Sequence, residues 1–216
     1  MDPRELAGFI DQSVLQPEAV AADVEAACRD AQTFGFRAVV VPSGAVSHAR
    51  RLLGSGPTLV VSTVAFPHGN AAADIKAAEA RRAAQLGADE IDYVISIGAA
   101  RDGDYRYVRE EGVAIMRAVR GKIVKAILEV GHLTEEAAHS CAQGLAEAGV
   151  PYVKTCTGFG PGPVTEDQVR MLLRAVRGRA LVKASGGIRE RWQALRMLDA
   201  GAAVIGTSRG VAICSE

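Results

Sequence analysis

The stretch TEEAAHSCAQGLAEAGVPYVKTCT, residues 134–157, contains a cap, a helix, a break and a strand in succession. Thr134 stands where a short polar side chain can accept a bond from a free N–H at a helix start. Glu135 to Ala148 is alanine-rich with charged residues at helical spacing, which predicts an amphipathic helix. Gly149 can relax into the left-handed turn that ends it. Tyr152 to Thr157 then reads as a strand.

The same unit recurs in both directions along the chain. Strands are expected at Phe9 to Leu15, Ala38 to Val41, Leu59 to Phe66, Glu90 to Ser96, Ile123 to Val130, Leu181 to Gly186 and Ala203 to Thr207. Further amphipathic helices are expected at Ala71 to Leu86, Tyr105 to Val119 and Glu166 to Val176, with Asp74 and Thr165 near helix starts. Gly87 and Gly201 repeat the role of Gly149. Continuous strand–helix alternation requires right-handed crossovers and hence a parallel sheet. Eight units favour an α/β fold of the (β/α)8 TIM-barrel type, one domain spanning residues 1–216, with a short or missing final helix. An open doubly wound sheet is the alternative, but no G-x-G-x-x-G follows the first strand. In a barrel, reacting groups come from the C-terminal ends of strands and the loops after them.

Composition narrows the class of partner. Twenty-five basic residues balance 25 acidic ones, so no global field draws the chain to nucleic acid or to anionic membranes. The apolar runs fall far short of the roughly 20 residues a membrane span needs. A cytoplasmic protein with a small-molecule partner is expected. Cys28, Cys141, Cys156 and Cys214 form no C-x-x-C pair and read as reduced thiols. His48, His68, His132 and His139 have no metal-ligand spacing, so neither a metal site nor a cofactor is expected.

The lysines carry the chemical signal. Only Lys76, Lys122, Lys125, Lys154 and Lys183 are lysine among the 25 basic residues, yet Lys125, Lys154 and Lys183 lie in apolar strand sequence. Each follows a valine, so alternation along a strand puts the three amines on the face opposite Val124, Val153 and Val182. If the valines pack under the helices, the amines project into the barrel. Burial and a neighbouring cation both favour the neutral amine, which can attack a carbonyl as a guanidinium cannot. Asp92, in the apolar run Glu90 to Val94, needs a partner and could move the proton of a substrate hydroxyl. The competing reading pairs these lysines with Asp92, Glu90 or Glu129 in an inert buried network.

Three segments carry a resemblance to a known family: Gly87-Ala88-Asp89-Glu90-Ile91-Asp92, Val153-Lys154-Thr155-Cys156-Thr157-Gly158-Phe159 and Val182-Lys183-Ala184-Ser185-Gly186-Gly187-Ile188-Arg189. In that order, within a similarity running from Ile10 to Ile213, the chain resembles the deoxyribose-phosphate aldolases. The resemblance implies a class I aldolase, an aldehyde-lyase that reversibly cleaves 2-deoxy-D-ribose 5-phosphate to D-glyceraldehyde 3-phosphate and acetaldehyde. It implies Lys154 as the Schiff-base lysine, Lys183 as the second lysine that lowers its pKa, Asp92 as the proton-relay aspartate and Lys125 as a further member of the network. Asp11, Thr157 and Gly158 are implied at the substrate. The phosphate is expected at Gly186, Gly187, Gly206, Thr207 and Ser208, with Arg209 as an added contact, because loops after the seventh and eighth strands commonly bind phosphate in this barrel.

Departures border the substrate end. Gln12 and Ser13 replace a common His-Thr pair, Gln16 a lysine, Val40 a cysteine and Pro42 an asparagine. Pro163 and Val164 replace smaller residues, and Arg209 stands where a small residue is usual. They leave two further readings open: a Schiff-base aldolase for a different short sugar phosphate, and a catalytically silent sugar-phosphate-binding barrel. The short end after Ile213 allows closure against a second copy, giving a homodimer.

Overall fold

The computed structural model describes residues 1–215; Glu216, the last residue of the expected domain, lies outside the described residues. Eight strands, β1 Ile10–Ser13, β2 Ala38–Pro42, β3 Leu59–Val64, β4 Glu90–Val94, β5 Ile123–Ile127, β6 Tyr152–Lys154, β7 Leu181–Ser185 and β8 Val204–Thr207, close in chain order into a parallel barrel. β8 pairs with β1 through Asp11 opposite Gly206, so the sheet has no free edge. Among the described residues, no helix is long and apolar enough to cross a membrane.

All eight expected strands are present, but most end sooner at the C-terminal side than their apolar sequence predicts. Ile95, Leu128, Val130 and Cys156 remain buried after their strands have ended. Ile95 and Leu128 still donate to the Ile127 and Lys154 carbonyls of the next strand, but regular pairing stops there, and hydrophobicity alone does not mark that point. Ala65 and Glu129, with φ of 51° and 53°, lie where the chain turns away from β3 and β5.

The helix Glu166–Val176 shows how sequence sets an element. Thr165 accepts from the Gln168 N–H while the Gln168 side chain accepts from the Thr165 N–H, a reciprocal cap. Val169, Leu172, Ala175 and Val176 then recur on the buried face. Thr134 caps Glu135–Glu147 as expected. Asp74 does not cap its helix: Ala73–Gln85 begins after Ala72 without a side-chain cap, and Asp74 sits inside the first turn, where its charge still suits the helix N-terminus. The last described residues form a short helix, Gly210–Ser215.

Side-chain alternation divides the core in two. Val39, Val41, Ile91, Tyr93, Val124, Val153, Val182 and Ile205 face outward into the main hydrophobic cluster under the helices. Burial of each such side chain stabilises the fold by roughly 1.5–3 kcal/mol. Inside the barrel, Ala38, Val40 and Val61 form a small apolar cluster on β2 and β3. Asp11, Glu90, Asp92, Lys125, Lys154 and Lys183 place a charged layer in the same interior, with Thr63, Val94, Ile127 and Val204 around it.

One buried ion pair lies outside the barrel. Lys76 Nζ donates to Glu111 Oε1 at 2.6 Å and to the Val94 carbonyl at 2.8 Å, and Glu111 Oε2 accepts from the Ser96 N–H at 3.1 Å. The pair fastens helices Ala73–Gln85 and Tyr105–Ala118 to the end of β4. Both side chains are fully buried, and burial pushes the Lys76 pKa down and the Glu111 pKa up. Lys76→Met leaves Glu111 without its cation and should cost about 3–5 kcal/mol of unfolding free energy, measured by denaturant titration. Replacing both as Lys76→Met/Glu111→Leu should cost clearly less; an equal or larger loss would show that the pair's charges are not what matters.

Candidate active site

The three strand lysines reach the barrel interior because Val124, Val153 and Val182 take the opposite face. Register brings them together. Lys154 on β6 is directly opposite Lys183 on β7, and Asp92 on β4 is opposite Lys125 on β5. All four side chains are buried.

Asp92 is the hub. Its Oδ2 accepts from Lys183 Nζ at 2.8 Å and Lys154 Nζ at 3.1 Å, and its Oδ1 accepts from Lys125 Nζ at 3.0 Å. Lys183 also donates to Asp11, and Lys125 to Glu90. Arg37, just before β2, donates to Asp11 at 2.7 Å and to Glu90. Glu129 joins no lysine; its Oε2 accepts from the Thr157 N–H at 3.1 Å and from the Thr157 hydroxyl. That bond anchors the loop after β6, where Thr157 Oγ1 also accepts from the Phe159 N–H at 3.0 Å.

The electrostatics single out Lys154. Burial lowers its pKa, Asp92 raises it, and Lys183 and Lys125 lower it again, leaving it at about 8. Lys125 goes the other way: burial opposes its charge, but Asp92, Asp11 and Glu90 outweigh burial and raise its pKa. Asp92 is held well below the usual carboxylate range, since three surrounding ammonium groups overcome its burial. Asp11 is also lowered, by Lys183, Lys125 and Arg37 against its burial. An amine near 8 is neutral in roughly a tenth to a fifth of molecules at physiological pH, several hundredfold more than an ordinary lysine.

A cavity of about 510 Å³ opens over Lys154 and Lys183 at the C-terminal end of the barrel. Of the other expected site residues, Asp11, Thr157, Gly158, Gly186, Gly187, Gly206, Thr207 and Ser208 line it. Asp92 and Lys125 lie beneath the wall, and Arg209 is exposed and off it. Arg189, which the sequence reading passed over as a site residue, lines the cavity instead, as does Ser185. Gly206 is required by packing: a Cβ there would come within 2.9 Å of Ser185 Cβ and 3.1 Å of Lys183 Cε. Gly187, at φ 74°, would place a Cβ 2.7 Å from that of Pro163.

The departures have structural counterparts. Gln12 donates to the Ser208 carbonyl at 3.3 Å and accepts from the Gly210 N–H at 2.9 Å, fixing the turn after β8. Val40 and Gln16 line the cavity, Val40 as part of the interior apolar cluster. Arg37 carried no sequence signal, being one arginine among many in a connection. Glu90 was legible, since it lies two residues before Asp92 on the same strand face.

Comparison with known proteins places this geometry in context. A family model described as DeoC/LacD family aldolase matches residues 6–216. The deoxyribose-phosphate aldolase of Thermus thermophilus is 40% identical over 209 residues, covering 97% of this chain and 95% of that protein. That of Thermococcus kodakarensis is 42% identical over 217 residues, covering 99% and 97%. Among solved structures, the tetrameric deoxyribose phosphate aldolase of Aeropyrum pernix superposes with a TM-score of 0.92 at 30% identity, covering 99% of this chain and 91% of that one. The aldolase QR15 superposes with a TM-score of 0.93 at 33% identity, covering 98% and 95%.

The opposition of Lys154 and Lys183 yields a signed expectation. Lys183→Leu removes a cation that holds the Lys154 pKa down, so the acid limb of the rate at which acetaldehyde and cyanoborohydride label Lys154 should move above about 8, toward the ordinary lysine value. A limb that stays in place would show that the two amines do not interact.

Proposed function

Because the chain belongs to the DeoC/LacD family of aldolases, we propose that it is a class I aldolase cleaving 2-deoxy-D-ribose 5-phosphate reversibly to D-glyceraldehyde 3-phosphate and acetaldehyde. The observation that carries this reading is one lysine, Lys154, on the cavity wall with a pKa lowered to about 8 beside a second lysine and a buried carboxylate.

Each step uses a group already in place. Neutral Lys154 Nζ attacks C1 of the open-chain sugar, and loss of water with uptake of one proton from solvent gives an iminium that withdraws electrons from the C2–C3 bond; that proton is returned when the final imine is hydrolysed. The C3 hydroxyl releases its proton as that bond breaks, freeing glyceraldehyde 3-phosphate and leaving an enamine on Lys154. Lys183 faces the cavity and Asp92 lies behind it at 2.8 Å, so the proton enters at Lys183 as Lys183 passes one to Asp92. The reverse transfer protonates C2 of the enamine, and water then hydrolyses the imine to acetaldehyde. Lys125 keeps Asp92 fixed and ionised between turnovers.

The phosphate end is assigned to the cavity wall built by Gly186, Gly187, Gly206, Thr207 and Ser208, where missing side chains leave backbone N–H groups within reach of an anion. Arg189 is the favoured cation there over Arg209. Asp11, Thr157 and Gly158 border the sugar. Residues 1–216 act as one aldolase barrel domain, in the cytoplasm and as a homodimer. Among the described residues the four cysteines are buried and unpaired, with thiol pKa values raised by burial, as suits a reducing compartment.

Acetaldehyde with borohydride should leave one ethyl group, mapped by peptide mass spectrometry to Lys154, and Lys154→Ala should abolish it. Labelling of Lys183 or Lys125 alone would contradict the assignment. Asp92→Asn should lower kcat by roughly a hundredfold or more with a smaller change in KM. A loss confined to KM would remove Asp92 from proton transfer.

A further inference from the structure

The charged groups inside the barrel form a closed ring. Arg37 bonds Asp11, Asp11 bonds Lys183, Lys183 bonds Asp92, Asp92 bonds Lys125, Lys125 bonds Glu90, and Glu90 returns to Arg37. Three cations alternate with three carboxylates, so the ring is neutral. Lys154 stands outside it, attached only through Asp92. Its proton would be the one uncompensated charge of the cluster, in a place where uncompensated charge is costly.

We propose that Arg37 is a positioning residue for the reaction: from the end of the barrel opposite the cavity, it completes a neutral ring and thereby favours the neutral, nucleophilic form of Lys154. The proposal rests on the reading of Lys154 as the Schiff-base lysine.

The geometry of Arg37 suits this role. It immediately precedes β2, whereas Lys154 ends β6 at the mouth, and Arg37 is not among the residues that line the cavity. One guanidinium spans two carboxylates on different strands, Asp11 of β1 and Glu90 of β4, which an ammonium cannot do with the same fixed fork. Burial opposes its charge, but Asp11 and Glu90 more than offset that, so Arg37 stays ionised. The groups bearing directly on Lys154 are Asp92 on β4, Lys183 on β7 and Lys125 on β5. Arg37 reaches it through them, because Asp11 and Glu90 are the other partners of Lys183 and Lys125. Without Arg37 the ring carries an extra negative charge, and the amines in it, together with Lys154 beside it, hold their protons more tightly.

Charge balance predicts a pattern that packing does not. The readout is the pH midpoint of the rate at which acetaldehyde and cyanoborohydride label Lys154, confirmed by mass spectrometry for each variant. Arg37→Met should raise the midpoint by about half to one pH unit, and Glu90→Gln, which leaves the ring positive, should lower it by about as much. Arg37→Met/Glu90→Gln restores neutrality and should return the midpoint to within about 0.3 unit of the unaltered protein. If Arg37→Met does not fold, the downward shift of Glu90→Gln and the return in the double variant still decide. Midpoints that do not move, or that move the same way in both single variants, overturn the proposal while leaving Lys154 as the labelled residue. Absence of label at Lys154 in the unaltered protein would overturn both this proposal and the aldolase reading.

Discussion

A single carboxylate, Asp92, accepts hydrogen bonds from three ammonium groups inside a closed barrel, and the chemistry of the site depends on that contact. Three buried cations around one anion is an unfavourable arrangement unless other carboxylates share the load. Asp11 and Glu90 do so for Lys183 and Lys125. Lys154 has no second acceptor, and its pKa is lowered to about 8. Removing charges from water at this density costs stability that an apolar core would keep. The barrel can bear it because Val39, Val41, Ile91, Val124, Val153 and Val182 form an uninterrupted apolar shell on the other face of the same strands.

The architecture is what makes the hub possible. Asp92, Lys125, Lys154 and Lys183 come from four consecutive strands, and only a parallel sheet curved into a barrel points their side chains at one another. The interior is lopsided: charge occupies β1 and β4 to β7, whereas β2 and β3 contribute Ala38, Val40 and Val61. The residues that depart from the family pattern, Gln12, Gln16, Val40 and Pro163, gather at the mouth and the apolar wall. None of them interrupts the ring below. Reactive centre and substrate rim can therefore vary separately in this fold, as expected where strands hold the chemistry and loops the specificity.

The fold and the hub were legible in sequence for one reason: strand periodicity tells which way a side chain points. Lys125, Lys154 and Lys183 each follow an apolar residue in a short β run, and Asp92 and Glu90 share a face by the same rule. Arg37 and Lys76 gave no such signal. One lies in a connection and the other on a helix, where a long side chain can turn to water or inward, so only tertiary packing decides. Arg209 and Arg189 differ for a similar reason: sequence places both on loops over the mouth but does not fix which guanidinium meets the cavity. The capping role expected of Asp74 failed because the cap position falls two residues earlier, at Ala72, a shift within the usual uncertainty of helix ends. Strand ends were overextended where buried loop residues are as apolar as strand residues.

The central claim is that the barrel brings the titration of one particular amine down from the ordinary lysine range toward neutrality. It is tested most directly by NMR titration of the protein carrying 13C at the lysine ε positions, with the Lys154 resonance identified by its loss in Lys154→Met. The account predicts that this resonance titrates near 8. A Lys154 resonance that keeps its charged shift until about pH 10 or above, as an ordinary lysine does, would contradict it.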